Sequence, residues 1–176
     1  GIAYLATPDS GLMRIDLAGL QILSSWQSLG ADSLEAAPVA IDGDTVYFGL
    51  PGFGVMILDR INGDIVDLLT VGNSGLPDND VLSLYIYGGD LVVGSRVANT
   101  GASSNGGLAI WDGSSWDQLE TNIPGWNNDP WEFNDIISDG NDIYAATNRG
   151  VCVWGDMGQG TLDLIECLTT GGGSEM

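Results

Sequence analysis

One two-strand phrase occurs four times along this chain, at residues 2–16, 45–59, 91–112 and 143–155. Each copy is a short apolar run, a loop, a glycine (Gly11, Gly54, Gly107, Gly150) and a second apolar run. The first runs end at Thr7, Leu50, Ser95 and Thr147, spaced 43, 45 and 52 residues apart. Each run is too short to bury its own apolar face, and repetition at this period lets neighbouring units bury each other's faces. Runs of four to seven residues rich in Val, Ile, Leu and Tyr, bounded by Gly, Asp and Asn, are strands rather than helices. The expected fold class is all-β: a β-propeller or partial propeller of about four blades, each with up to four antiparallel strands.

Each unit divides into strands A to D. Strand A falls at residues 38–42, 81–87 and 133–138, strands B and C are the repeated phrase, and strand D falls at 20–26, 64–69, 115–119 and 162–168. The first unit begins at strand B and lacks its innermost strand. The expected organisation is a single propeller domain or arc over residues 1–176, with blades at 1–37, 38–80, 81–132 and 133–170 and a flexible tail at 171–176. An open blade exposes apolar surface and strand edges, so either self-association or a larger parent chain is expected.

The links differ in kind. The A–B links (42–44, 87–90, 139–142) and most C–D links are tight and built from Asp, Asn and Gly, the residues that supply positive φ in hairpin turns. The B–C links (8–10, 51–53, 96–106, 148–149) and D–A links (27–37, 70–80, 120–132) are irregular and mostly longer. Both of these emerge on the same face of a four-strand meander. Variable loops on a rigid scaffold are where binding residues concentrate, which makes Phe53, Arg96, Trp126, Trp131 and Arg149 the candidate ligand-binding residues. Aromatic and arginine side chains are the types enriched in recognition surfaces; the competing reading is that the two tryptophans fill gaps between blades.

Composition narrows the chemistry. There are 24 acids against four arginines, with no histidine and no lysine, giving a net charge of −20. Such a surface repels phosphate backbones and anionic lipid, arguing against nucleic-acid partners and membrane-surface binding. No run approaches the roughly 18–20 apolar residues of a membrane span, so no direct insertion is expected. The acidity fits a salt-adapted protein, with divalent-cation binding as the alternative. No EF-hand spacing is present, so no cofactor is expected and Ca²⁺ is the sole candidate ion. Without His or Lys there is no Ser-His-Asp triad, His-ligated zinc, Schiff-base lysine or P-loop lysine; the expectation is a non-enzyme.

The two cysteines, Cys152 and Cys167, lie in strands C and D of the last unit. A hairpin centred near residues 158–160 sets them opposite one another, close enough for a disulfide; two buried thiols are the alternative. A disulfide implies an oxidising compartment, and thus an extracellular, cell-surface or periplasmic location.

Residues 73–95, with Gly75, Leu76, Pro77, Asn79, Val81, Gly94 and Ser95, resemble the propeller repeat in sensor regions of hybrid two-component regulators. Residues 134–155 look like a second copy. Residues 45–69, with Leu58-Asp59 and Asn62-Gly63, are similar to the quinoprotein-like repeat, although its usual later Trp is absent there. The resemblance implies blade architecture, without a quinone site. The function expected is a non-enzymatic extracytoplasmic binding or scaffold module that recognises a protein or small ligand through the B–C and D–A loop face. One alternative is a carbohydrate-binding or carbohydrate-active propeller with a glycan ligand, motivated by Trp126, Trp131 and the Asp129/Glu132 pair. The other is a surface-layer or adhesin segment.

Overall fold

A computed structural model describes residues 1–7, 11–26, 37–97, 107–119, 131–157 and 161–169. Trp126 and Asp129 lie outside them. All regular structure in these residues is β, in fifteen strands: β1 (Ile2–Thr7), β2 (Gly11–Asp16), β3 (Gln21–Trp26), β4 (Val39–Asp42), β5 (Thr45–Leu50), β6 (Gly54–Asp59), β7 (Ile65–Leu69), β8 (Val81–Tyr87), β9 (Asp90–Val97), β10 (Leu108–Trp111), β11 (Trp116–Gln118), β12 (Trp131–Ser138), β13 (Asp142–Thr147), β14 (Gly150–Asp156) and β15 (Leu162–Thr169). They form four antiparallel meanders: β1-β2-β3, β4-β5-β6-β7, β8-β9-β10-β11 and β12-β13-β14-β15. Among the described residues the first meander has three strands, without a strand A, in line with the repeat pattern. The chain is a four-bladed propeller arc.

The repeat glycines have a backbone reason. Gly11, Gly54, Gly107 and Gly150 adopt φ of +67°, +104°, +112° and +151°, where L-residues are strained. At Gly54 space forbids a side chain as well, since a Cβ would collide with the Leu69 carbonyl.

Strand alternation gives each blade two apolar faces, and neighbouring blades bury them as three separate cores. Between blades 1 and 2 lie Leu12, Val46, Phe48, Met56 and Leu58, with Tyr4 and Trp26 against them. Between blades 2 and 3 lie Val55, Leu69, Leu76, Val81, Leu91 and Val93, with Trp111 and Trp116. Between blades 3 and 4 lie Val92, Leu108, Phe133, Ile143, Cys152 and Trp154. Polar contacts pin the same seams. The Tyr4 hydroxyl donates to the Arg60 carbonyl at 2.9 Å, the buried Ser83 hydroxyl to the Phe133 carbonyl at 2.7 Å, and the Tyr87 hydroxyl to the Asn141 carbonyl at 2.7 Å.

Cys152 and Cys167 are direct cross-strand partners on β14 and β15. Their Cα atoms are 4.0 Å apart and their sulfurs form a disulfide. Its Cys152 end lies in the core between blades 3 and 4.

Two details depart from the sequence reading. Strand β12 begins at Trp131 rather than Phe133, so Trp131 and Glu132 belong to a strand and not to a loop. Strand β9 runs on through Val97, and Trp131↔Val97 and Glu132↔Arg96 pair across the blade boundary. Blades 3 and 4 therefore share one eight-stranded sheet.

Two of the tight turns are held by Asp carboxylates, those of Asp112 and Asp139. The Asp112 carboxylate accepts from the Ser114 and Ser115 amides at 2.7 Å each, and from both hydroxyls. These bonds, the Ser115 amide foremost, hold its carboxyl well below the usual range. The Asp142 and Asn141 amides do the same for Asp139. A depressed folded pKa adds stability above the unfolded Asp value of about 3.9, and that stability fades as pH falls through the folded values. The midpoint of urea unfolding is expected to drop below pH about 4. Asp112→Ala and Asp139→Ala should each flatten that acid limb, and an unchanged limb in both would contradict the account.

Candidate functional site

The face bearing the B–C and D–A links is joined by a belt of hydrogen bonds and ion pairs that crosses three blades. It begins at the turn after β5, where the Phe53 amide donates to the Leu50 carbonyl at 2.8 Å and the Phe53 side chain is partly exposed. The next amide, Gly54, donates to the Asn79 carbonyl at 3.0 Å, tying this turn to the link before β8. The Asn79 side chain accepts from the Val71 amide at 2.8 Å and closes that link on itself. Asp80 follows, and its carbonyl accepts from the Arg96 amide at 3.1 Å.

Arg96 is the centre of the belt. One terminal guanidinium nitrogen lies 3.0 Å from Asp80 Oδ2. The other lies 3.1 Å from Glu132 Oε1, and Nε donates to that same oxygen at 3.1 Å. A planar guanidinium can grip two carboxylates from fixed directions, which a lysine cannot do. Beyond Glu132, its amide donates to Asn148 Oδ1 at 3.3 Å and its carbonyl accepts from the Asn148 amide at 3.2 Å. Arg149 comes next, its amide held by Thr147 Oγ1 at 3.1 Å.

The structure thus links the backbone positions of Phe53, Arg96 and Arg149 through one network on one face, and sets Trp131 beside it in β12. Arg96 itself is a clamp between blades: its charge is answered by two carboxylates, and its side chain is about half exposed. Sequence reasoning missed Asp80 and Glu132 as its partners. Their separations in sequence, 16 and 36 residues, exceed any local periodicity. Glu132, once a candidate for paired-carboxylate chemistry, is committed to Arg96.

Among the described residues, no three His, Cys, Asp or Glu side chains converge as a metal site. The opposite, trimmed face holds a shallow cleft of about 310 Å³ at the seam of blades 3 and 4, lined by Tyr87, Asp90, Ile110, Asp112, Asp117 and Leu162 among others.

No protein-family pattern matches the sequence, and no curated protein sequence matches it either. Solved structures do match in fold. The extracellular domain of a one-component system from B. thetaiotaomicron superposes with a TM-score of 0.67 at 14% identity, over 96% of this chain and 21% of that one. The extracellular domain of a hybrid two-component system from the same organism gives 0.67 at 17% identity, over 94% and 22%. BamB from Moraxella catarrhalis gives 0.60 at 15% identity, over 96% and 50%. The chain spans about a fifth of the sensor domains' length and half of BamB's. At these identities the likeness is one of fold: the chain is built of propeller blades like those of extracellular sensor domains.

Replacing Arg96 with Ala leaves Asp80 and Glu132 facing each other without a cation. Exposed ion pairs are worth about 0.2–1 kcal/mol each, so a loss of about 1 kcal/mol in urea unfolding is expected. Amide exchange at Arg96 and Asn148 should accelerate, and Arg96→Lys should recover less than half of the loss. Full recovery by Lys would show that charge alone matters and would contradict the clamp.

Proposed function

We propose that this chain is a non-catalytic extracellular recognition module that binds a protein segment or small ligand on its B–C and D–A loop face. The observation that carries the reading is the belt from Gly54 through Asn79, Asp80, Arg96 and Glu132 to Asn148. It holds loops of three blades in fixed relation, and pre-organisation of that kind lowers the entropic cost of binding. The trimmed face offers Asx turns whose acceptors are already occupied. The fold likeness to sensor extracellular domains and the Cys152–Cys167 disulfide support an oxidising, extracytoplasmic setting. The lack of His and Lys supports recognition over catalysis.

The experiment is an amide chemical-shift titration of the labelled protein with a panel of soluble oligosaccharides, amino acids and short peptides. Saturable shifts are expected at residues 51–54, 78–80, 95–97, 131–132 and 147–150, and Phe53→Ala should weaken the same binding about tenfold or more. Shifts confined to the turns at 42–44, 87–90 and 139–142, or turnover of any panel member, would contradict it.

A further inference from the structure

The internal repeat gives the trimmed end of each blade seam an equivalent at the other seams. At the first seam the paired residues of strands B, C and D are Tyr4, Arg14 and Ser24. At the second they are Tyr47, Ile57 and Asp67, and at the third Val92, Ile110 and Asp117. The first seam is filled by its own side chains. The Tyr4 hydroxyl crosses it to donate to the Arg60 carbonyl, and the Arg14 guanidinium crosses it to donate to the Ile61 carbonyl. At the second seam Tyr47 packs against the same core as Trp111 and Trp116 of blade 3. At the third, valine stands in place of the tyrosine, and blade 4 has Leu164 where blade 3 has Trp116. The cleft of about 310 Å³ lies at this third seam, between two blades that face each other within the chain.

The cleft is apolar along Tyr87, Ile110, Leu119 and Leu162, and it carries the carboxylates of Asp90, Asp112 and Asp117. Its hydrogen-bond inventory is one-sided. The Tyr87 hydroxyl is committed to the Asn141 carbonyl at 2.7 Å. The Ser115 amide and hydroxyl are committed to Asp112, whose oxygens are thereby occupied. Thr161 is the one side-chain donor left among the described lining residues, whereas the Asp90 and Asp117 carboxylates remain open as acceptors among the described residues. None of the four arginines lines the cleft. A cavity of open carboxylates without free donors selects a ligand that donates and carries positive charge, and its apolar part selects a carbon body. We propose that this cleft binds a small organic cation, an ammonium or guanidinium group on a short apolar body. The cationic head faces Asp90 and Asp117, and the body rests on Ile110 and Leu162.

A second observation points to the same ligand. The residue at the first seam equivalent to Ile110 is Arg14, so there the chain's own cation occupies the place that the third seam leaves open. Size and charge agree. The volume is at the lower end of the roughly 300–1,000 Å³ of small-molecule sites, which suits a free amine. The net charge of −20 raises the local concentration of cations. A metal ion suits the cleft less, since no three ligating side chains converge among the described residues. The site is on the face opposite Arg96 and stands independently of the loop-face reading.

Amide chemical-shift titration of the whole chain with phenethylamine, at about 0.15 M salt, tests this. Saturable shifts are expected at Tyr87, Asp90, Ile110, Asp117 and Leu162, with a Kd of about 1 mM or tighter. The uncharged 2-phenylethanol should bind about tenfold more weakly or worse. Asp90→Asn and Asp117→Asn should each weaken the amine about threefold or more. Asp64→Asn, which removes the same charge from the β6–β7 turn, should bind like wild type. Ile110→Arg, which copies the first seam, should abolish binding. No saturable shift up to about 10 mM amine would overturn the proposal. Equal binding of 2-phenylethanol, or equal weakening by Asp64→Asn, would overturn it as well, the second by showing diffuse attraction to an acidic chain. Displacement of the amine by Ca²⁺ at equal concentration would overturn the organic cation in favour of a metal. If either Asn variant at the cleft loses the wild-type circular dichroism, the comparison of amine with alcohol on the wild type carries the test.

Discussion

Burial of apolar side chains between adjacent blades is the interaction on which everything else in this molecule depends. A single three- or four-stranded meander has too little core to be stable alone. Here each sheet borrows its neighbour. Val55 and Leu69 leave water because Val81, Leu91 and Val93 of the next blade cover them, and Phe133 does so against Val92 and Leu108. The hydrogen bonds across the seams, such as Ser83 to Phe133, gain strength from the dry surroundings that this packing creates.

The same packing positions the face that bears the B–C and D–A links. Strands held radially side by side bring the ends of β5, β9 and β13 to one rim, so that short contacts can run from Gly54 to Asn79, from Asp80 to Arg96, and from Glu132 to Asn148. Arg96 serves the scaffold, bridging Asp80 and Glu132. With four arginines against 24 acids, each cation matters. Arg96 offsets two carboxylates at the place where blades 3 and 4 merge into one sheet.

Much of this was legible in the sequence, for physical reasons. The four glycines must take positive φ, so they mark the B–C turn in every blade. Strand β8 was readable over its full length, 81–87, because a run of apolar and aromatic residues broken only by Ser83 is bounded by Asp80 and Gly88. The start of β12 was not, since its first two residues, Trp131 and Glu132, pair with a strand of the previous blade. The Arg96 clamp was equally hidden: an arginine in a link reads as a ligand contact until its long-range partners are placed. Of the aromatic residues expected on the binding face, Phe53 is on that rim, Trp131 is in a strand beside it, and Trp126 lies outside the described residues.

The most direct test of the central claim compares two equivalent positions, Phe48 and Leu5, one covered by a neighbouring blade and one not. In dilute solution, Phe48→Ala should cost about 3–5 kcal/mol in denaturant unfolding, as for a large buried core residue. Leu5→Ala, at the same place in the repeat but 48% exposed, should cost less than about 1 kcal/mol. Equal losses at the two positions would show that stability resides within each blade rather than between blades, and would contradict the account.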